Sequence, residues 1–128
     1  MRAIFLDISK AFDKVWYTGL LFKLRQNGFS GKLLSFFQIY LSNRKQRVVL
    51  NGSSSSLLSI ESGVPQGSVL DPLPFLIYIN DLEIDIKSKI KFFADDTMLF
   101  SLVKNPNSST DDLNHDLDII CKWAVQWK

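Results

Sequence analysis

The sequence has one cysteine and no long hydrophobic run. Cys121 is alone among the 128 residues, so the chain can form neither an internal disulfide nor a cysteine-based zinc site. This cysteine usage is typical of a reducing compartment. No apolar run approaches the length of a bilayer-spanning helix, and we expect no membrane partner. The amino-terminal residues reach Asp7 too early for a signal peptide, and we expect none.

A marked excess of either charge is also absent. The 15 lysines and arginines nearly balance the 13 aspartates and glutamates, and the resulting net charge of +2 neither identifies nor opposes a nucleic-acid partner. Apolar residues are abundant instead, because 46% of the chain is hydrophobic and 12% is aromatic. This composition is ample for a packed core and unlike that of disordered chains. The length corresponds to one domain or to a piece of one.

Strand and helix patterns alternate along the chain without a strict β-α-β repeat, which predicts an α+β fold with helices on one face of a sheet. Residues 2–8 are largely apolar and predict a short central strand. Residues 11–24 and 30–43 predict two helices. Residues 44–63 predict two strands around a polar turn at residues 51–56.

The second half of the chain continues this mixture. Residues 68–82 predict a helix whose first half is disturbed by Pro72 and Pro74. Residues 89–100 predict a β-hairpin with its turn in the middle of the segment. The last segment repeats apolar residues at spacings of three and four, which predicts a helix with Ser109 as its N-cap.

The predicted hairpin, KIKFFADDTMLF, places two adjacent aspartates inside an apolar segment. If buried, Asp95 and Asp96 would each lose hydration and would repel each other, but at a hairpin tip both can reach a shared ligand. A magnesium ion would neutralise the repulsion, and Asp7, near the end of another strand, would complete the ligand set. Three carboxylates that hold two metals form the arrangement for in-line phosphoryl transfer. Taken alone, the doublet is more commonly ordinary turn chemistry, and an aspartate that closes a strand is commonly a cap.

Longer motifs give this doublet a context. FLDISKAFDKVW, GVPQGSVLDPLPFLIYINDL and FFADDTMLF occur in this order, and YLSNRKQRVVLNG and LNHDLDIICKWAVQW join and follow them. Together they resemble the central motifs of the reverse transcriptases of non-LTR, LINE-type retrotransposons such as the jockey group. The resemblance implies a polymerase palm, with an antiparallel sheet and helices on one face, that acts as an RNA-directed DNA polymerase. It further implies two Mg²⁺ ions, for which Mn²⁺ can substitute. The implied partners are an RNA template, a DNA primer and deoxynucleoside triphosphates.

The resemblance also implies residue roles at the metal site. Asp7, Asp95 and Asp96 match the catalytic metal ligands of the family, and Ile8 would offer its backbone carbonyl to a metal. Phe12 matches the bulky residue that excludes the 2′-hydroxyl of an incoming nucleotide, a group that a flat ring can block sterically. Without the resemblance, Phe12 is equally well explained as a core residue of the helix after the strand.

The motif GVPQGS looks like the loop that lies against the template–nucleotide pair. Gln66 would touch a base edge or sugar, Gly67 allows close backbone approach, and Pro65 stiffens the turn. Read alone, the motif is a Gly-Pro turn before a helix. Arg44 and Arg47 are candidates for contact with template or primer phosphates, although a short basic cluster is also typical of a solvated face.

Two positions depart from the family pattern. Asp71 stands where a glycine is usual, and Pro74 stands where a leucine is usual. Both changes fit drift in a decayed element, and both also fit a variant that still folds. We expect residues 1–128 to be a reverse-transcriptase palm without its N-terminal fingers and its thumb.

A second function therefore stays open. The alternative is a truncated, non-catalytic relic or a co-opted nucleic-acid-binding module that keeps the palm fold. A nucleotide cyclase with a related palm is disfavoured by the PQGS motif between the carboxylates. No targeting signal is visible in the sequence, and an intracellular location in the nucleus is implied only by the resemblance.

Overall fold

The computed structural model describes residues 1–65, 67, 72–103 and 106–127, with the side chains of residues 106 and 107 outside the description. Strands and helices are mixed along the chain, and a short 3₁₀ helix follows the third α-helix. The elements are β1 (Arg2–Asp7), α1 (Tyr17–Gln26), α2 (Gly31–Leu41), β2 (Lys45–Gln46), β3 (Val49–Leu50), β4 (Ser53–Ser54), β5 (Leu58–Ser59), α3 (Pro72–Ile79), the 3₁₀ helix (Asn80–Glu83), β6 (Lys89–Phe93), β7 (Asp96–Ser101) and α4 (Pro106–Trp127).

Within the described residues, the principal sheet has three antiparallel strands in the order β1-β7-β6. On its inner face Thr97 and Leu99 of β7 are buried, and α4 packs against this strand. The prediction of an α+β fold with helices on one face of the sheet is confirmed. The prediction that β1 is central is wrong among the described residues, because β1 pairs only with β7 there. The apolar run misled because Phe5 lies on the outer face, where it is 79% exposed.

The core lies between the helices and behind the sheet. It is built from apolar residues of α1, α2 and α3, and Leu20 and Leu24 of α1 are completely buried. Burying a leucine or phenylalanine side chain stabilises a fold by about 1.5–3 kcal/mol, so this cluster supplies most of the force that holds the helices together. Trp123 and Trp127 of α4 pack against the edge of the same cluster.

A separate hairpin arm joins α2 to the loop before α3. Its strands pair as β2 with β5 and β3 with β4, and its tip is the two-residue turn of Asn51 and Gly52. Both turn residues have positive φ, 49° and 81°, as an Asn-Gly hairpin turn requires. The predicted polar turn at residues 51–56 is therefore too long. Ser53 and Ser54 belong to a strand, because serine can pair in a solvated ladder as well as fill a turn.

Helices α1 and α4 begin at different residues from those predicted. The first helix begins at Tyr17 and not at residue 11, because residues 9–13 form turns. Helix α4 begins at Pro106, which places Ser109 inside its first turn and makes the predicted N-cap wrong. Among the described residues, helix α3 runs from Pro72 to Ile79 and contains Pro74. Residues 68–71 of the predicted helix, with the departure at Asp71, lie outside the described residues.

Within the part of the chain that the structure describes, no helix is both long enough and apolar enough to cross a bilayer.

Candidate active site

Two of the three predicted catalytic carboxylates are direct neighbours across the sheet. Asp7 is the last residue of β1 and Asp96 is the first residue of β7, and the two are paired in register. Directly opposite residues on antiparallel strands point to the same face, with their Cβ atoms about 4.5–5.5 Å apart. Both side chains lie on the outer face and are exposed. The fold therefore brings two negative charges together at the end of the sheet.

The third carboxylate, Asp95, lies in the turn of the β6–β7 hairpin. The predicted turn carried both aspartates, but the turn consists of Ala94 and Asp95, and Asp96 already belongs to β7. Ala94 adopts a left-handed φ of 53°, which is unfavourable for a residue with a Cβ atom. Asp95 is half-buried beside the exposed Asp96. The doublet is thus divided between a strained turn and a strand end.

The outer face of the sheet continues from the carboxylates as an apolar surface. Behind the Asp7–Asp96 pair, Phe5 lies opposite Met98, and Met98 also lies opposite Lys91 of β6. These residues line a concavity of about 430 Å³ that extends to both aspartates. An exposed carboxylate pair at the rim of an apolar concavity is suited to hold a polar reacting group beside an apolar ligand surface.

The donor atoms at this strand end suit a hard divalent cation. Carboxylate oxygens are preferred Mg²⁺ ligands, and the paired Asp7 and Asp96 provide two such groups at one place. Across the described residues, no group of three or more histidine, cysteine, aspartate or glutamate side chains is close enough to hold a metal. The carbonyl oxygen of Ile8 accepts the Ala11 N–H at 3.0 Å, so one of its two lone pairs is already used. The arrangement therefore fits a metal through the carboxylate pair, with Asp95 adjacent in the turn.

Phe12 follows β1 and packs against the helical layer. Its ring centroid lies 4.4 Å from that of Phe75 in α3, and the side chain is half-buried. Its carbonyl oxygen accepts the Val64 N–H at 2.8 Å. These contacts are those of a core residue at the surface of the cluster, and they leave the role in excluding a 2′-hydroxyl as a prediction.

The loop before α3 is fastened to the segment that follows β1. The Gly63 N–H donates to the Val15 carbonyl at 2.9 Å, and the Ser62 hydroxyl donates to the Asp13 carbonyl at 2.9 Å. The φ of Gly63 is +86°, and a Cβ atom there would lie 2.7 Å from the carbonyl oxygen of Asp13. Only glycine satisfies both the left-handed φ and the close approach without strain. The first part of the GVPQGS motif is thereby held beside the residues that follow the first aspartate.

The remaining predicted contacts are distributed around this loop. Pro65 is half-buried, Gly67 has a φ of +103°, and Gln66 lies outside the described residues. Arg44 uses Nη1 to donate to the Gly63 carbonyl at 2.6 Å and to the Tyr17 hydroxyl at 3.0 Å. Its position is thus explained by fastening the loop.

Arg47, by contrast, lies exposed on the hairpin arm. Contact of Arg44 or Arg47 with phosphates stays a prediction.

Comparison with known proteins shows which family the chain belongs to. The sequence profile described as "Reverse transcriptase (RNA-dependent DNA polymerase)" matches residues 2–128. The chain belongs to the reverse transcriptase family. It is 36% identical over 131 residues to "RNA-directed DNA polymerase from mobile element jockey" of Drosophila melanogaster. It is equally similar, at 36%, to the protein of the same name from Drosophila funebris.

The relatives of this reverse transcriptase chain are much longer than the chain itself. Each jockey alignment covers 96% of the chain and 14% of the relative. A third relative, "Probable RNA-directed DNA polymerase from transposon X-element" of Drosophila melanogaster, is 32% identical, with 98% of the chain and 14% of the relative covered. The chain therefore spans about one seventh of the length of these relatives.

Sequence reasoning missed a buried cation in this reverse transcriptase chain. Lys23 of α1 is 2% exposed, and its Nζ donates to the Tyr78 carbonyl and to Asp81 Oδ1, both at 2.6 Å. The rings of Tyr78, Trp123 and Trp127 surround the ammonium group at 3.9–4.8 Å from their centroids. Burial lowers the pKa of Lys23, and the hydrogen bond to Asp81 opposes this shift. The signal in the sequence was a lysine on the same helical face as Leu20 and Leu24.

A buried anion was missed as well. Asp116 of α4 is 0% exposed and accepts the backbone N–H groups of Lys87 and Ser88 at 2.9 and 2.8 Å. It lies three residues after Leu113, on the apolar stripe of the helix. An acid on such a stripe is a detectable signal, because a buried carboxylate needs hydrogen-bond donors.

Proposed function

We propose that this chain is part of the palm of an RNA-directed DNA polymerase and supplies its nucleotidyl-transfer site. The observation that carries the proposal is the pairing of Asp7 with Asp96 on an exposed sheet face, with Asp95 directly before Asp96 in the turn. Like charges directly opposite on a sheet destabilise it. A cation ligand that offsets this cost gives the arrangement a purpose that turn chemistry alone does not.

The residues of the chain have distinct tasks in this function. Asp7, Asp95 and Asp96 would hold two Mg²⁺ ions, and Mn²⁺ would substitute for them. When bound, the metal lowers the pKa of the primer 3′-hydroxyl and offsets the charge that develops on the phosphates. The second lone pair of the Ile8 carbonyl oxygen would be a further metal ligand, directly after the end of β1. The carboxylates would thus orient the reaction.

Selection of the nucleotide would fall to the neighbouring loop. The ring of Phe12, supported from behind by Phe75, would block a 2′-hydroxyl and so favour deoxyribonucleotides. Pro65, Gln66 and Gly67 would lie against the template–nucleotide pair. The hydrogen bond between Val64 and Phe12 supports this division of work, because it joins the loop to the residue that excludes the ribose hydroxyl.

The test replaces the matched segment of the Drosophila melanogaster jockey polymerase with this chain. Primer extension on an RNA template with deoxynucleotides and Mg²⁺ compares that chimera with its Asp95→Asn variant. We expect the variant to lose at least about 10³-fold in rate, because a metal ligand contributes several kcal/mol to the transition state. Asp118→Asn, an exposed position on α4, serves as the matched control and should change the rate by no more than about twofold.

Equal rates from the chimera and its Asp95→Asn variant would contradict the proposal. A chimera that folds and binds a primer–template duplex but does not extend it would instead favour the alternative of a nucleic-acid-binding module without turnover. The Phe12→Ala variant adds an independent check, since it should incorporate ribonucleotides more readily if the ring excludes the 2′-hydroxyl.

A further inference from the structure

Asp116 binds the backbone at the start of the β6–β7 hairpin, which carries Asp95 and Asp96. One carboxylate oxygen accepts the Lys87 N–H and the other accepts the Ser88 N–H, so two consecutive backbone amides converge on one buried anion. Hydrogen bonds to an ionised acceptor are shorter and stronger than neutral ones. Ser88 directly precedes β6, and α4 therefore holds the point at which the hairpin begins.

The hairpin is held at its base and strained at its tip. Five residue pairs separate the two ends, from Lys89 opposite Phe100 to Phe93 opposite Asp96. The two-residue turn forces Ala94 into a left-handed φ of 53°. A slip of β6 along β7 would lengthen the turn and release this φ, but it would also change the position of Asp95 within the turn. The tip alone therefore does not secure the register.

We propose that Asp116 is a positioning residue that fixes the β6–β7 register and thereby holds Asp95 in the two-residue turn directly before Asp96. The inference rests on the proposed function only for its consequence, which is metal binding by those aspartates. The anchoring itself depends on the two hydrogen bonds and the strained turn. Asp116 is more than 20 residues away from Asp95 in the chain and acts on it through the backbone of β6.

The first experiment measures the register in the 128-residue chain by NMR. Cross-strand contacts between Lys89 and Phe100 and between Phe93 and Asp96 report the native pairing. We expect the Asp116→Asn variant to lose these contacts, because an amide presents an N–H to one of the two backbone donors. The Asp118→Asn variant on the exposed side of the same helix should retain them. A folded Asp116→Asn variant with native contacts would overturn the proposal.

The second experiment uses Mn²⁺ alone as a probe, through its paramagnetic broadening of the Asp7 and Asp96 amide signals. Outer-shell substitutions commonly weaken metal affinity by about 10–100-fold, and we expect about a tenfold loss for Asp116→Asn. Adding Ala94→Gly should restore both the register and the affinity, because glycine removes the strain that drives the slip. A merely structural role predicts lower stability without this rescue, and absence of the rescue would contradict the positioning role.

Two further outcomes are distinguishable. If Asp116→Asn does not fold, Asp116→Glu is used instead, because it keeps the charge and displaces the carboxylate by one methylene. The same cross-strand contacts, measured in that variant, then decide whether Asp116 fixes the register. If the unaltered chain binds no Mn²⁺, that result counts against the proposed function, while the cross-strand contacts still decide whether Asp116 fixes the register.

Discussion

The close approach of Gly63 to the segment after β1 predicts a large cost for a single methyl group. In Gly63→Ala the new Cβ atom would lie 2.7–2.9 Å from three backbone atoms of Asp13. Backbone atoms cannot rotate aside as the end of a side chain can. The loop must therefore move away from Asp13, and the hydrogen bonds from Gly63 to Val15 and from Val64 to Phe12 must lengthen.

A second glycine, which has the same backbone conformation but open space around it, serves as the reference for the size of this stability loss. Gly28 has a φ of +87°, against +86° for Gly63, and no described atom lies within 4 Å of its missing Cβ position. Gly28→Ala therefore meets only the left-handed strain, about 1–2 kcal/mol. Gly63→Ala meets the same strain together with an overpacking cost of about 1–3 kcal/mol. The free energy of unfolding should fall by about 2–5 kcal/mol in total at Gly63.

The assay is urea unfolding of the unaltered chain, the Gly63→Ala variant and the Gly28→Ala variant, monitored by tryptophan fluorescence. The slope of the unfolding free energy against urea should be unchanged, so that the shift in midpoint reports stability. The informative quantity is the difference between the two variants, because the left-handed strain cancels. A Gly63→Ala variant that is no less stable than Gly28→Ala would refute the claim that Gly63 is required by contact with Asp13.

Three other substitutions test the buried charge, the buried hydroxyl and the strained turn. Lys23→Met should lower the unfolding free energy by about 2–3 kcal/mol in urea titrations, because it leaves the partly exposed Asp81 without its cation. Tyr78→Phe should cost about 1 kcal/mol, because the hydroxyl donates to the Trp127 carbonyl. Burial raises the pKa of Tyr78 above its ordinary 10.0, so the folded chain keeps a proton that the unfolded chain releases. Wild-type stability should therefore fall as pH rises above about 10, and Tyr78→Phe should lack this component in titrations on both sides of that pH. Ala94→Gly should raise the melting temperature, with a gain of about 0.5–1 kcal/mol, because glycine tolerates the φ of 53°.

The sequence predicted the elements well where local patterns decide them. Alternating and continuous apolar runs located β6 and β7, and the period of three and four located α4. The boundaries failed where tertiary contacts decide. Residues 11–16 have a helical composition, but the loop around Gly63 takes their carbonyl groups as acceptors, so α1 begins only at Tyr17.

The candidate site was predictable in its residues and not in its geometry. The doublet and Asp7 could be singled out from their positions in apolar segments. The strand register places Asp7 opposite Asp96 and leaves Asp95 in the turn. This register cannot be read from the sequence. Arg44 shows the same limit, since a basic cluster in the sequence gave no sign that Arg44 fastens the loop at Gly63.

Lys23 and Asp116, the two buried charges that the sequence analysis missed, are related to the candidate site because they hold together the elements around it. A sequence selected for stability alone would not place Asp7 opposite Asp96, because opposite charges or β-branched residues stabilise such a pair. The cost is tolerable when the surrounding elements are held firmly. Lys23 ties α4 to α1 and to the 3₁₀ helix, and Asp116 ties α4 to the start of β6. A destabilising carboxylate pair on a firmly braced sheet is the expected pattern of a ligand-binding site, since strain at a functional position persists only where the rest of the structure determines it.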